Sequence, residues 1–426
     1  MTRPGGARDA VTAVLGGGQG SRLWPLTKTR AKPAVPVGGR FRLIDVPISN
    51  SLHAGIDRIY VLTQFNSESL HRHIAQTYRF DIFSGGFVHI LAAEQTVSNR
   101  DWYQGTADAV RRNLDRLNEQ KPADILILSG DQLYLMNVQA FLEHHRRSRA
   151  DLTVAVKPVV REEASAFGIM RVDNDGRIVE FVEKPKQPEL LDRFTLEAGQ
   201  LASLGFEAPA GSLLASMGIY TFRREVLNRA LRDGEATDFG HQVIPQMIGQ
   251  AEVFAYNHTG YWQDIGTIPT FHSANLDLTQ SLPPLDLYSS DRPIYTHPRF
   301  LPGTKIHSCE VHESILCEGS IISGSSIKSS IVGIRAQVQE GSVIDKSIIM
   351  GATHFEAPGS QPGPRMGVGR NCVLHRAIID FNARIGDGAR LVNALGIDNA
   401  EEENYSIRDG IVVVHRDGVI QPGMEI

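Results

Sequence analysis

Short apolar runs alternate with amphipathic segments over about residues 10 to 280. Four of the runs are typical of buried strands: VTAVL (11–15), RIYVLT (58–63), FVHILAA (87–93) and DILILS (124–129). The segments SESLHRHIAQTY and TADAVRRNLDRL between them have the apolar spacing of helices. Strands that are apolar throughout and alternate with helices indicate a sheet that is covered on both faces. The pattern therefore predicts an α/β fold whose first domain has a mostly parallel, Rossmann-like sheet.

The pattern changes to a six-residue period in the last third of the chain. Apolar residues recur six apart at Val373, Ile379, Ile385 and Leu391, with small residues at Cys372, Ala383 and Ala389, and an earlier block repeats the spacing at Ile315, Ile321 and Ile327. A hexapeptide period predicts a parallel β-helix, in which short strands stack coil upon coil. The alternative is a set of ordinary short strands that happen to be evenly spaced. The stretch 353–367 between the two blocks is predicted to be a loop.

A proline-rich stretch separates the two patterns. It reads SLPPLDLYSSDRPIYTHPRFLPG and covers residues 281–303. Composition of this kind is typical of a connection between domains. We therefore predict a catalytic domain over 1–280, a linker over 281–303 and a β-helix domain over 304–426.

Composition narrows the class of protein. The 426 residues carry 43 Lys and Arg against 48 Asp and Glu, a net charge of −5, which argues against a nucleic-acid binder or a membrane-surface protein. Cys309, Cys317 and Cys372 show no CxxC spacing, so reduced packing thiols are expected. No apolar run reaches the roughly 20 residues of a membrane span, and the first residues lack a signal-peptide pattern. A cytoplasmic protein is expected.

A glycine-rich loop follows the first predicted strand. The sequence LGGGQGSR contains Gly16, Gly17, Gly18 and Gly20, but it matches neither GxxxxGK[ST] nor GxGxxG. Bare backbone N–H groups in such a turn attract phosphate oxygens, although a purely structural bend remains the alternative. Arg22 and Lys32 follow it, and two separated cations suit a triphosphate. Alone, each would be interpreted as a solvated surface charge.

Two aspartates are candidates for binding a metal ion. Asp131 directly follows the strand DILILS, and Asp264 lies in GYWQDIGT. Ligands of α/β sheets bind at the carboxyl ends of strands, so Asp131 should face the same crevice as the glycine-rich loop. Two carboxylates can hold Mg²⁺ against substrate phosphates. A lone aspartate after a strand is more often a cap, so the hypothesis depends on the pair.

The chain closely resembles the glucose-1-phosphate adenylyltransferase family, also called ADP-glucose pyrophosphorylases. The resemblance extends over nearly the whole chain, from LGGGQGSRLWPLTKTRAKPAVP through WYQGTADAV, AFGIMRVD, FVEKP, ASMGIY, TDFG and YWQDIGT to RAIIDFNARIGD. It implies a nucleotide-diphospho-sugar transferase domain followed by a left-handed β-helix, with Mg²⁺ as cofactor, small-molecule allosteric effectors and a homotetramer.

The resemblance also implies roles for individual residues. Catalytic roles fall on Arg22, Lys32, Asp131 and Asp264, of which Asp131 and Asp264 hold the metal. The ATP site comprises Leu15, Gly16, Gly17, Gly18, Gly20, Ser21, Gln95, Tyr103, Gly105 and Thr106. The glucose 1-phosphate site comprises Tyr103, Gly168, Glu183, Lys184, Ser216, Asp238 and Trp262. Gln64 and Trp102 match positions that couple regulator and substrate sites, and Arg30, Arg40 and Arg416 match effector positions.

The implied reaction needs no general base, because the phosphate of glucose 1-phosphate is already an anion when it attacks the α-phosphorus of ATP. Histidines such as His71, His73, His144 and His145 are accordingly interpreted as surface or packing residues. The chain departs from the family at GDQLYLMN, where many relatives have GDH and an arginine, and at Phe381, where relatives activated by 3-phosphoglycerate have a lysine. A neutral ring cannot pair with a phosphate, so a weak or altered response to 3-phosphoglycerate is expected.

Three other functions are alternatives. The first is a pyrophosphorylase for another nucleotide or sugar, the second a regulatory subunit without turnover, and the third an acyltransferase activity of the β-helix. The intact set of Arg22, Lys32, Asp131, Lys184 and Asp264 argues against a regulatory subunit. No acyl-acceptor motif accompanies the histidines of the β-helix.

Overall fold

The computed structural model describes residues 9–93, 101–232, 235–357 and 363–426. The strands of the first domain are β1 Ala10–Leu15, β2 Pro36–Val37, β3 Phe41–Arg42, β4 Arg58–Thr63, β5 Phe87–Ala92, β6 Asp124–Ser129, β7 Gln132–Tyr134, β8 Leu152–Val159, β9 Gly168–Val172, β10 Ile178–Glu183, β11 Leu213–Arg223, β12 Val253–Asn257 and β13 Trp262–Asp264. The helices are α1 Asp45–His53, α2 Glu68–Thr77, α3 Thr106–Arg112, α4 Leu114–Asn118, α5 Val138–Arg147, α6 Pro188–Asp192, α7 Ala198–Ser203, α8 Arg224–Arg232, α9 Ile244–Met247 and α10 Ile268–Asp277. Short 3₁₀ turns lie at Ser21–Leu23, Lys32–Ala34 and Ala164–Ala166, and a π-helical turn lies at Phe239–Val243.

The four strands predicted from apolar runs form the parallel half of the main sheet. β6, β1, β4 and β5 are neighbours in that order, and each pair is parallel. β1 and β6 are buried on both faces, which explains why their sequences are apolar throughout. β11 pairs in the antiparallel direction with β6, β8 and β9, and β12 pairs in parallel with β8. The α/β prediction is confirmed, and the antiparallel strands are an addition that the apolar runs did not reveal.

The second domain is a parallel β-helix. Its strands are β14 Lys305–His307, β15 Glu310–His312, β16 Ile315–Leu316, β17 Ile321–Ser323, β18 Ser326–Lys328, β19 Ile331–Val332, β20 Gln337–Val338, β21 Val343–Asp345, β22 Ile348–Ile349, β23 Gly367–Val368, β24 Val373–His375, β25 Ala377–Ile379, β26 Arg384–Ile385, β27 Arg390–Leu391, β28 Asn399–Glu401, β29 Tyr405–Arg408, β30 Ile411–Val414 and β31 Val419–Ile420. They stack into three sheets, in the orders β14-β17-β20-β23-β26-β31, β15-β18-β21-β24-β27 and β16-β19-β22-β25-β30-β29-β28. Each regular coil therefore contributes one short strand to each face.

The predicted hexapeptide register is wrong at two positions. Ile321 is 41 % exposed whereas its neighbour Ile322 is fully buried, and Leu374 rather than Val373 stacks in the core on Leu391. The inward positions are not always six residues apart, since Ile327 and Val332 are both inside. Where two apolar residues are adjacent, a strict period of six therefore selects the wrong one. In the insert between the blocks, the described residues form no strand before Gly367.

Coils of the β-helix approach each other too closely for a side chain at Gly333. A Cβ atom there would lie 2.3 Å from the carbonyl oxygen of Met350 in the next coil. Gly333→Ala should therefore destabilise the protein by about 1 to 3 kcal/mol, because backbone atoms must move apart. Thermal unfolding measures this, with Gly303→Ala as control, since nothing lies within 4 Å of a Cβ at Gly303. Equal melting temperatures for the two variants would contradict the prediction.

The two domains share one continuous core. Ile331, Ile348 and Phe381 of the β-helix belong to the same buried cluster as residues of the first domain. Cys317 lies so close to Gly39 that a Cβ there would be 2.4 Å from its sulfur. All three cysteines are free, as expected. No helix in the described part of the chain is long and apolar enough to cross a membrane.

Candidate active site

A cavity of about 300 Å³ opens at the carboxyl ends of β1 and β6. The predicted residues that line it are Leu15, Gly17, Gly18, Gln64, Tyr103, Gly105, Thr106 and Asp131. Nothing lies within 4 Å of a Cβ added at Gly18, so the backbone of the glycine-rich loop is open to a ligand there. Gly16, Gly20 and Ser21 belong to the same loop but do not line this cavity in the described structure. Gln95, also predicted for the nucleotide site, lies outside the described residues.

Gln64 fixes two walls of this cavity to each other. Its side-chain amide donates to the carbonyl of Gly17 at 2.9 Å and accepts from the backbone N–H of Tyr103, also at 2.9 Å. Trp102, next to Tyr103, is 52 % exposed and stacks on Phe65 with ring centroids 6.1 Å apart. The pair that the resemblance linked to regulation thus lies beside the candidate nucleotide cavity, with Gln64 inside it.

Asp131 and Asp264 are brought together by a short antiparallel ribbon. β7 begins directly after Asp131, and β13 ends at Asp264, which pairs with Gln132. Lys32 Nζ donates to Asp131 Oδ2 at 2.6 Å, and Ser129 donates to the other carboxylate oxygen. Burial raises the pKa of Asp131, but the Lys32 charge and these hydrogen bonds outweigh it and lower the pKa below its ordinary value. Asp131 is therefore a stable anion next to a nearly buried cation.

Asp264 has the opposite electrostatic balance. Burial and then the negative charge of Asp131 raise its pKa, and Lys32 and Arg22 only partly offset them. The Arg22 guanidinium is close by, since a Cβ added at Gly266 would lie 2.7 Å from Asp264 Oδ2 and 3.6 Å from Arg22 Nη2. Arg22 is exposed and faces a second depression of about 270 Å³ that it shares with Asp264 and Trp262. Arg22 and Lys32 thus flank the two carboxylates.

The predicted sugar-phosphate residues form a second group around Glu183. Lys184 Nζ lies 3.0 Å from Glu183 Oε1. The Glu183 carboxylate is packed between Gly168 and Gly240, since Cβ atoms added there would lie 2.6 and 2.3 Å from Oε2. Asp238 accepts from Thr106 Oγ1 at 3.1 Å, which connects this group to the wall of the cavity.

Tyr220 is a site residue that the sequence reasoning missed. It lines the cavity at the end of the ASMGIY motif, where β11 changes register between Ser216 and Tyr220. Burial raises the pKa of its hydroxyl, and the charges of Glu183 and Asp238 raise it further. Tyr220 therefore stays protonated and can donate a hydrogen bond. The motif ASMGIY, which ends at Tyr220, is the sequence feature that could have identified it.

The departures in GDQLYLMN have structural roles. Gln132 Oε1 accepts from the indole of Trp262 at 3.1 Å, and its Nε2 donates to the carbonyl of Met217 at 2.8 Å. Asn137 caps α5 by accepting from the backbone of Ala140. Gln132 thereby holds Trp262 in place, so the departure leaves the ribbon of β7 and β13 intact.

Residues 11–281 match the family model for nucleotidyl transferases, and residues 299–424 match that of the GLGC left-handed parallel β-helix domain. The chain belongs to the nucleotidyl transferase family. A nucleotidyl transferase domain followed by a GLGC-type β-helix is the signature architecture of glucose-1-phosphate adenylyltransferase, which confirms the family resemblance. The cavity, the glycine-rich loop and both aspartates all lie within the nucleotidyl transferase match.

The pair of aspartates in the nucleotidyl transferase domain fits a magnesium ion. The negative charge of Asp131 raises the pKa of Asp264, and a divalent cation between the two carboxylates would offset that repulsion. Within the described ranges, no three His, Cys, Asp or Glu side chains gather into a metal cluster. Two carboxylates without a full protein cage suit Mg²⁺, which takes its other ligands from water and substrate phosphates.

The predicted effector residues separate into two places. Arg30 and Arg416 line a cavity of about 250 Å³ between the nucleotidyl transferase domain and the β-helix, together with Phe381 and Arg42. Burial and then the charge of Arg30 lower the pKa of Arg42 to about 10. Arg40 does not line this cavity in the described structure, and its guanidinium lies 3.5 Å from Glu318.

Proposed function

We propose that the protein transfers the adenylyl group of ATP to glucose 1-phosphate and releases pyrophosphate. The observation that carries the proposal is the group formed by Lys32, Asp131 and Asp264 at the edge of a cavity that also contains the glycine-rich loop. The family supports a nucleotidyl transfer, and the motifs WYQGTADAV and FVEKP support this pair of substrates. The product would be ADP-glucose, the donor for α-glucan synthesis.

The chemistry requires positioning and charge neutralisation rather than a base. A phosphate oxygen of glucose 1-phosphate forms a bond to the α-phosphorus of ATP, and the bond to the β-phosphate oxygen breaks. Backbone N–H groups of the glycine-rich loop at Gly17 and Gly18 would bind the nucleotide phosphates, while Arg22 and Lys32 would neutralise them. Asp131 and Asp264 would hold Mg²⁺, which supplies further neutralisation of the phosphates.

Glucose 1-phosphate would bind at the group around Glu183, which the Thr106–Asp238 hydrogen bond connects to the cavity. The Lys184 side chain is 54 % exposed and its ammonium group can bind the phosphate, because a contact with Glu183 uses only part of its donor capacity. Glu183, Asp238 and Tyr220 offer acceptors and a donor for sugar hydroxyls. His73 and His145 are packing residues in this proposal, since His73 is buried against Asp45 and His145 against Thr153.

The proposed function is tested by measuring pyrophosphate release from purified protein with glucose 1-phosphate, Mg²⁺ and each common nucleoside triphosphate. We expect turnover with ATP and little with the others. Equal or faster turnover with TTP or GTP would change the assigned nucleotide. Folded protein that releases no pyrophosphate with any of them would favour a regulatory subunit.

Gly240→Ala should weaken binding of glucose 1-phosphate. The new Cβ would lie 2.3 Å from Glu183 Oε2, so the Glu183 side chain must move away together with its contact to Lys184. We expect KM for glucose 1-phosphate to rise about tenfold, because misplaced binding groups lose much of their interaction energy. KM for ATP should stay the same. Gly199→Ala in α7 is the control, and an unchanged KM for glucose 1-phosphate in Gly240→Ala would contradict this sugar site.

We also infer that small anionic effectors bind the cavity between the domains, where Arg30, Arg42 and Arg416 gather. The Phe381 ring lies over the Arg30 guanidinium at 5.6 Å and offers no charge of its own. Activation by 3-phosphoglycerate should therefore be weak, and Phe381→Lys should increase it. Initial rates over a concentration series measure both. Strong, saturable activation of the wild type would contradict the prediction.

A further inference from the structure

A fully buried ion pair joins the two domains. Arg30 Nη2 of the first domain donates to Asp380 Oδ1 of the β-helix at 2.8 Å, and each residue is only 2 % exposed. Asp380 is itself fixed, because its carboxylate accepts from the backbone N–H of Phe381 and its own N–H donates to Val414. Arg30 also contacts the sulfur of Met350. The guanidinium of Arg30 is therefore anchored to the β-helix.

The anchor lies two residues before Lys32. Ala31 separates them, is extended, and donates its N–H to the carbonyl of Asn66 at 3.0 Å. Lys32 then begins a 3₁₀ turn, and its Nζ reaches Asp131 at 2.6 Å. Consecutive Cα atoms are held about 3.8 Å apart, so one buried, extended residue transmits a displacement of Arg30 to Lys32.

We propose that Asp380 is a positioning residue: by fixing Arg30, it fixes the turn that presents Lys32 to Asp131. The inference rests on the proposed function, since it assigns Lys32 a part in that reaction. The β-helix thereby helps to set the geometry of the candidate active site through Asp380.

A purely stabilising role is the alternative. Buried ion pairs are weak evidence for stability, because well-packed apolar residues of similar size often replace them without loss. Their better-attested use is to specify geometry. The two roles predict different results when apolar residues replace the ion pair and the protein still folds. If the pair only stabilises the protein, activity should be retained. If it positions Lys32, activity should fall because Arg30 no longer anchors the turn.

The test compares Asp380→Asn, Asp380→Glu and the double variant Arg30→Met/Asp380→Leu with the wild type. Glu318→Gln is the matched control, since Glu318 also pairs across the domain boundary, but with the partly exposed Arg40 between β2 and β3 rather than with Arg30. The first readout is the rate at which an N-hydroxysuccinimide ester acetylates Lys32, measured by mass spectrometry relative to the exposed Lys28. The second is kcat and KM for each substrate in the absence of effectors.

We expect Lys32 acetylation to rise several-fold in Asp380→Asn and in the double variant, and not in Glu318→Gln. In the same two variants kcat should fall about tenfold, because Lys32 is misplaced, while KM for glucose 1-phosphate stays unchanged. Asp380→Glu keeps the carboxylate and should recover most of kcat and of the protection of Lys32.

A folded double variant with wild-type Lys32 acetylation and wild-type kcat would overturn the proposal. If Asp380→Asn fails to fold, the comparison of Arg30→Met/Asp380→Leu with the wild type is the test. Absence of any turnover in the wild type would count against the proposed function, whereas the acetylation of Lys32 would still test the positioning.

Discussion

Replacing Asp131 by asparagine should lower kcat about a thousandfold, because a carboxylate that helps to hold a catalytic metal ion supplies several kcal/mol. Asparagine preserves the shape of the side chain and can still accept from Ser129. It cannot supply the negative charge that pairs with Lys32 or attracts Mg²⁺. The measurement is pyrophosphate release under saturating ATP, glucose 1-phosphate and Mg²⁺, with circular dichroism to verify the fold.

Asp277→Asn is the matched control for this substitution. Asp277 ends α10, and its carboxylate accepts from Gln280 away from the cavity, so its loss should leave kcat unchanged. Magnesium titration separates the role of Asp131 in metal binding from its role as the partner of Lys32. A variant that only loses metal affinity regains activity at high Mg²⁺. Retention of more than about a tenth of wild-type kcat would exclude Asp131 from the catalytic group.

The parallel half of the sheet could be predicted from the sequence because its strands are buried on both faces. β4 and β6 have the predicted bounds, and β1 and β5 differ by a single residue. The positions of the glycine-rich loop and of Asp131 could be predicted from these strands, since both come at the carboxyl ends of neighbouring strands. The position of the cavity is therefore encoded locally.

Other features depend on contacts between distant parts of the chain. Asp131 meets Asp264 through β7 and β13, strands of three residues each, too short to give a periodic signal. Periodicity also cannot choose between Ile321 and Ile322 when both are apolar, because the choice depends on where the next coil lies.

The environments of the arginines also could not be predicted from the local sequence. Arg22 and Arg30 belong to one short segment, yet Arg22 is exposed beside Asp264 and Arg30 is buried against Asp380. Nothing in the local sequence separates these two environments, because the partner of Arg30 lies 350 residues away in the β-helix. Contacts across the domain boundary therefore decide which cation lines the candidate site and which one is buried against the β-helix.

Lys32→Met should lower kcat/KM for ATP about a hundredfold, the cost of losing one preorganised group that stabilises developing charge. Methionine matches the length and the apolar stem of lysine, so the nearly buried site stays filled. The Lys32 charge is the largest of the influences that lower the pKa of Asp131 against burial, and its removal leaves both carboxylates without a cation that offsets their burial. If ATP binds here as proposed, its triphosphate would then meet the two carboxylates without this cation.

Lys28→Met provides the comparison within the same segment. Lys28 is exposed, with its ammonium 5.6 Å from the ring of Trp24, so its loss should change kcat/KM for ATP less than about twofold. Equal effects of the two substitutions would mean that the positive charge of the loop acts as a whole rather than through the contact with Asp131. A large effect confined to Lys32 would assign the neutralisation to that contact, and would make its placement by Arg30 and Asp380 part of the catalytic geometry.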